Sequence, residues 1–283
     1  MLFRSFDATG DRREYLAEWL VSPQNALFAR AITNRVWKNY FGVGLVEQVD
    51  DMRASNPASN ERLLAAAAEH LVQNHYSLKA LMRTILQSET WQRSSEPLPE
   101  NSGDQRQYSR CFPRRMLAEV MLDAVSQVTD VPTEFKNIVY SGSDIKPTDA
   151  YPRGTRAIQL QDSAVQSWFL QTFGRNQRRI TCECERSDEP SMVQALHLSN
   201  GDTLNGKLSA PENRLSKWLA ANMTNEEIIS EIYLSCLARQ PSAAEQAGLL
   251  AELQRASTPE ERRATLEDVL WAVLSSREFL FNH

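Results

Sequence analysis

Apolar residues recur at helical spacing over most of the chain. Phe28, Ile32, Val36 and Tyr40 repeat every four residues, and Trp37 and Phe41 widen the face. Asn25 stands where a helix cap belongs, and Gly42 where the chain should leave the helix. Upstream, Asp11 followed by Glu14 has capping-box spacing. The apolar stripe behind it, Tyr15, Leu16, Trp19 and Leu20, stops at Ser22-Pro23. A third helix fits Asn60 to Asn74, with Leu63, Leu64, Ala67, Leu71 and Val72 on one face. Ser77 caps a fourth through Leu78, Leu81, Met82, Ile85 and Leu86. Pro113 suits the first turn of a fifth, which carries Leu117, Val120, Met121, Ala124, Val125 and Val128 inward.

The pattern weakens in the middle and returns. From Val131 to Gln161 it is broken by Pro132, Gly142, Pro147, Pro152 and Gly154, with extended pieces expected near Ile138–Tyr140 and Ala157–Leu160. Asp162 opens a short helix with Val165, Trp168, Phe169 and Phe173, ended by Gly174, and another helix follows at Ser191 to Ser199. Thr224 with Glu227, Ser242 with Glu245, and Thr258-Pro259 with Glu261 then mark three successive helix starts. These elements predict an all-α fold, an irregular multi-helix bundle of about ten helices with one long irregular central segment. The chain reads as a single helical domain over 1–283. The segment 131–161 is the expected sub-boundary or functional insertion, because loops of that length inside a compact domain normally serve a purpose.

Composition narrows the function classes. Ten glycines in 283 residues disfavour a turn-rich β sandwich and a glycine-rich nucleotide-binding architecture. A net charge of −5 speaks against nucleic acid as a partner. No apolar run approaches the roughly 18 residues that span a bilayer, and Met1 to Gly10 lacks the sustained apolar stretch of a signal peptide. The four cysteines, Cys111, Cys182, Cys184 and Cys236, do not form a disulfide framework.

The motifs of covalent haem attachment, the P-loop, the nucleophile elbow and the zincin helix are absent from the sequence. Two constellations remain. Cys182-Glu183-Cys184-Glu185-Arg186, preceded by Arg175, Arg178 and Arg179, places two thiols and two carboxylates together. They could hold a soft metal given further ligands, or one thiol could be activated by the arginines. The structural alternative buries one cysteine and pairs Glu185 and Arg186 with other charges. The second constellation is polar residues in apolar helices: Asn34 and Arg35, followed by Asp50 and Asp51, and Arg115, Glu119 and Asp123. At i, i+4 and i+8 the last three share one helix face, where they could bind an anion, do acid–base work or form an ion-pair ladder. Asp50 and Asp51, if extended, point apart and do not by themselves make a two-carboxylate hydrolase site. His70 reads as structural or solvated, and the six tryptophans as mainly core.

Several strings taken in order resemble a known family. They include Leu16-Ala17-Glu18-Trp19-Leu20, Asn34-Arg35-Val36-Trp37, Phe41-Gly42-Val43-Gly44-Leu45-Val46, Asp50-Asp51 with Ser55-Asn56-Pro57, and Arg114-Arg115 with Ala118-Glu119 and Asp123-Ala124. Phe173-Gly174-Arg175, Cys182 to Arg186, Gln194-Ala195-Leu196 with Asn200-Gly201, and Glu278-Phe279-Leu280 continue the series. From about Arg12 to His283 the chain resembles the planctomycete PSD-one domain of unknown function (DUF fifteen fifty-three), the carboxy-terminal domain of large cytochrome-like proteins. In typical relatives this domain follows a cytochrome c-like haem module and a second domain of unknown function, often behind an export signal. The resemblance therefore implies an extracytoplasmic setting and a chain that corresponds to the last domain alone, as a fragment, split gene product or stand-alone remnant. It implies no cofactor in this chain, haem on a companion domain or partner, and no transferable catalytic residues.

Three functions follow as expectations: a helical interaction or scaffold domain working with a haem-bearing partner, a hydrolase or accessory protein acting on polyanionic or sulfated glycans, and a metal or redox site at Cys182 and Cys184. The residues to watch are Arg35, Asp50, Asp51, Arg115, Glu119, Asp123, Arg175, Glu185 and Arg186.

Overall fold

The computed structural model describes residues 11–22, 25–140, 142–161, 163–176 and 191–282. They divide into two compact units, one ending at Pro113 and one spanning Arg114–Asn282. The division falls at Pro113, whereas the irregular segment 131–161 lies wholly inside the second unit.

The first unit is built from α1 (Arg12–Leu20), α2 (Ala26–Phe41), α3 (Glu61–Gln73) and α4 (Leu78–Leu86). Asn25 and Ser77 each turn a side-chain oxygen onto the backbone N–H of the third residue beyond, as their capping positions predict, and Asn60, expected as the first residue of the third helix, caps it in the same way. The core gathers Val36, Trp37, Phe41, Leu64, Leu71, Leu81, Ile85 and Tyr108. Trp37 stacks on Phe41 at 4.3 Å, and Tyr108 meets both rings edge-on at 5.3 Å. Tyr108 is carried by an irregular stretch after α4. There the Asp104 carboxylate collects the N–H groups of Arg106, Gln107 and Ser109 and the Ser109 hydroxyl. Those donors hold its carboxyl well below the usual carboxylate range, against the desolvation that opposes them.

α1 departs from its pattern. Asp11 caps it through the N–H of Arg13 without the predicted box, and α1 buries no residue. The Tyr15 and Leu16 side chains of the predicted inward stripe are exposed.

The second unit begins with β1 (Arg114–Arg115) and α5 (Ala118–Thr129), followed by β2 (Asn137–Ile138), β3 (Lys146–Pro147) and a single 3-10 turn at Ala157–Gln159. Then come α6 (Trp168–Thr172), α7 (Met192–Asn200), α8 (Asp202–Leu208), α9 (Arg214–Ala220), α10 (Asn225–Leu237), α11 (Ala243–Leu253), α12 (Pro259–Leu274), α13 (Arg277–Leu280) and β4 (Phe281–Asn282). β1 pairs antiparallel with β4, Arg115 opposite Phe281, and β2 with β3, Ile138 opposite Lys146. With strands this short the fold is all-α. It exceeds the expected helix number because α8, α9 and α13 are short pieces the sequence pattern did not separate. Met121, Leu122, Leu215, Ile228, Ile229, Ile232 and Leu266 lie at the centre, all inaccessible to solvent.

Three local expectations are corrected here. Pro113 does not open the fifth helix. Residues 114–115 are extended because they pair with β4, Met116 N–H continues to the Leu280 carbonyl at 2.9 Å, and α5 starts at Ala118. The helix assigned from Asp162 starts at Trp168, capped by Ser167, because Val165 is engaged in an isolated bridge to Ile138. The extended piece expected at Ala157–Leu160 is instead the 3-10 turn, whose first two N–H groups both bind the Asp123 carboxylate, at 2.6 and 3.1 Å.

Cations and anions staple the second unit at its helix ends. Arg214 donates to the Gln127 carbonyl at 2.8 Å, Lys207 Nζ to the Val131 carbonyl at 2.5 Å, and Lys217 to the Asp130 carboxylate. All three meet the carboxyl end of α5, where the helix dipole favours positive charge. Arg239, just past α10, grips Glu245 of α11 and Glu278 of α13 while lying over the Tyr233 ring.

Candidate functional site

The sequence-derived polar residues fall into separate groups. Arg35, Asp50 and Asp51 belong to the first unit, and Arg115, Glu119, Asp123 and Arg175 to the second. Cys182, Cys184, Glu185 and Arg186 lie outside the described residues.

In the first unit the organising residue is Asn34, completely buried on α2. Its Nδ2 donates to the carbonyls of Val46 and Val49 at 3.0 and 3.2 Å, and its Oδ1 accepts the Val46 N–H at 3.0 Å. A buried carboxamide thereby satisfies a stretch of loop backbone that has no secondary structure of its own. Gly44 lets the loop come this close: a Cβ there would sit 2.4 Å from the Val46 carbonyl and 3.1 Å from the Asn34 side chain. On the outer side Arg35 Nε binds Asp50 at 2.7 Å, and Arg53 binds Asp51 at 2.6 Å. Beside them lies an open depression lined by Glu47, Gln48, Asp51, Arg53, Ser55 and Asn56. The Arg53 guanidinium holds the Asp51 carboxyl below its ordinary range. A glycosidase acid requires the opposite shift.

In the second unit Arg115 donates to Gln194 Oε1 and to the Phe173 carbonyl at 3.3 Å, with its guanidinium 5.6 Å from the Phe173 ring centre. Glu119 and Arg175 approach at 3.8 Å, both largely buried, and Arg175 also reaches the Leu160 carbonyl at 3.5 Å. Asp123 is occupied by the 3-10 turn. Because Arg115 sits on a strand, the three residues expected on one helix face do not form a line. What they form is a set of ties between β1, α5, α6 and α7.

Gln194 and His197 belong to the same cluster, and neither is among the site candidates that the sequence offers. Gln194, 8% exposed, donates to the Thr172 carbonyl at 3.0 Å and closes a capping box with Ser191. The His197 ring packs edge-on against Phe169 and Phe173 at 5.5 and 5.9 Å, with Nε2 3.3 Å from the Thr203 hydroxyl. Burial lowers its pKa, and Asp202 opposes that shift. The outward side of α7 is apolar: Met192 is 77% exposed and Leu196 58%, with Val193 between them. α7 thus turns Gln194, His197 and Leu198 toward the core and leaves Met192, Val193 and Leu196 outside. The readable signals were the Ser191–Gln194 capping spacing and the alternation of Met192, Val193 and Leu196 with Gln194 and His197. Trp168, expected in the core, is exposed as well.

Among the described residues no group of three or more His, Cys, Asp or Glu side chains is arranged to hold a metal ion, and no helix is long and apolar enough to cross a membrane. No curated protein and no solved structure matches the chain. A family model described as "Protein of unknown function (DUF1553)" matches residues 12–253, which include the Asn34-braced loop, both arginine–carboxylate groups and α7. The chain therefore belongs to the DUF1553 family.

Proposed function

We propose that this chain is an interaction domain that docks a haem-bearing, cytochrome c-like module, on a companion domain or separate partner in an extracytoplasmic complex, through the outward face of α7. The observation that carries this is the exposed apolar face that Met192, Val193 and Leu196 make on α7. Large apolar side chains on a soluble surface cost hydration free energy, and contiguous ones commonly mark contact surfaces. α7 cannot bury them by rolling inward, because that would pull Gln194 from Arg115 and Thr172, and His197 from its aromatic seat. The haem module is supplied by the family resemblance.

The glycan-hydrolase alternative draws less support. Asp50 and Asp51 each hold an arginine, and Asp123 caps a backbone turn. The metal or redox alternative rests on Cys182 and Cys184, outside the described residues.

The test is titration of the purified chain with a cytochrome c-like module taken from a longer family member, read by calorimetry. Saturable binding is expected, and Met192→Asp with Leu196→Asp should abolish it. Binding unchanged in that variant removes α7 from the interface, and no binding by the unmodified chain removes the haem-module partner.

A further inference from the structure

The same contacts that hold α7 in place contain a titratable group. α7 is seated by Gln194, by the His197 ring against Phe169 and Phe173, and by the Trp271 indole N–H to the Leu198 carbonyl at 3.3 Å. We propose that His197 makes the seating of α7 proton-sensitive, so that acidification lifts α7 from its aromatic seat and withdraws the docking face it displays. The consequence for docking rests on the role given to α7 above. The seating itself is a property of this chain alone.

The geometry favours the neutral imidazole. Two phenyl rings occupy space that would otherwise hydrate an imidazolium, and Nε2 has the Thr203 hydroxyl as its hydrogen-bond partner. Among the described residues the charged groups around it are few. α6, packed against α7, has the sequence Trp168-Phe169-Leu170-Gln171-Thr172 and brings no ionisable side chain. α8 brings Asp202 at its first position, which favours the imidazolium and is outweighed by burial. β1 brings Arg115, whose guanidinium lies over the same Phe173 ring and disfavours a second cation there. Because the folded-state pKa is depressed, the unfolded or lifted state binds more protons below the ordinary histidine range. Seating is therefore complete at neutral pH and is lost as pH falls through about 6.5, the free-imidazole value, and below.

Amide hydrogen exchange of the full chain, corrected for intrinsic rates and compared between neutral and acidic buffer, reads α7 directly without any partner. The peptides covering Met192–Asn200 should lose protection several-fold at the acidic end, while those of α10 and α12 keep theirs. His197→Phe, which keeps an aromatic ring in the seat and removes the proton, should abolish that local change. Asp202→Asn, which removes the carboxylate favouring the seated imidazolium, depresses the seated-state pKa further and should deepen the acid loss of α7 protection relative to the unmodified chain, and it serves as the independent variant where His197→Phe fails to fold. Protection of α7 that is indifferent to pH, or a pH response that survives His197→Phe, overturns the inference. An acid loss of protection in Asp202→Asn no larger than in the unmodified chain overturns it too. A failed titration with the haem module leaves these exchange results standing and bears on the docking reading alone.

Discussion

Asn34 and Val46 are joined at both ends of one carboxamide, the Val46 N–H entering Oδ1 and the Val46 carbonyl receiving Nδ2, each at 3.0 Å. The pair lies in the first unit's interior, so neither backbone group has water as an alternative partner. Asn34→Ala would strip three hydrogen bonds and leave the carbonyls of Val46 and Val49 and the N–H of Val46 unsatisfied. The expected cost is about 2–4 kcal/mol. Urea unfolding checks it, with hydrogen exchange over residues 42–50 showing whether the loop opens first. Asn34→Asp keeps the acceptor but turns a second oxygen toward two carbonyls, so it should be no better tolerated.

The corner between α7 and α8 makes a second prediction. A Cβ on Gly201 would lie 2.3 Å from the His197 carbonyl oxygen and 3.1 Å from its ring. Backbone cannot yield as a flexible side chain can, so Gly201→Ala must push α7 and α8 apart. We expect a loss of about 1–3 kcal/mol, measured as a lower urea midpoint for the second unit. A cost near zero would mean that the corner relaxes freely.

Substitution of the α7 outer face should separate binding from folding. Met192 and Leu196 are largely exposed, so Met192→Asp with Leu196→Asp removes little packing. Stability should stay within about 0.5 kcal/mol of the unmodified chain, while binding to the haem module is lost. Thermal melting run beside the calorimetric titration distinguishes a failed interface from a failed fold.

Helix starts were the most legible feature, because a cap is a local event. Asn25, Ser77, Thr224, Ser242 and Thr258 all act where their spacing places them. Arg115 departs from its helical pattern for the opposite reason: its conformation is set by pairing with Phe281, 166 positions away in sequence, which no local pattern announces. The candidate charges were legible as residues but not as partners. Arg35 could be matched with Asp50 only once the loop was seen to fold back on Asn34. Helical periodicity also assumes apolar residues point inward, and Met192, Val193 and Leu196 of α7 depart from that assumption. Its unusual face was therefore open to reading as an ordinary buried stripe.

Lys207 supplies a prediction with a sign opposite to the usual behaviour of a paired charge. It is 6% exposed, its ammonium reaches the Val131 carbonyl, and burial pushes its pKa down to about 8. That hydrogen bond and the α5 carboxyl end favour the cation, so desolvation is the larger effect. Between about pH 8 and 10.5 the unfolded chain then carries a proton that the folded chain has released, and stability rises with pH over that window. At roughly 1.4 kcal/mol per pKa unit the gain has an upper limit of about 3.5 kcal/mol. Tyrosines and thiols titrate in the same range, so the contribution must be isolated by difference: urea midpoints of the unmodified chain and Lys207→Met, measured at several pH values. The gap should shift in favour of the unmodified chain as pH climbs from 8 to 10.5. A gap independent of pH would mean that the buried amine keeps an ordinary lysine pKa, with the Val131 carbonyl and the helix end sufficient to hold its charge.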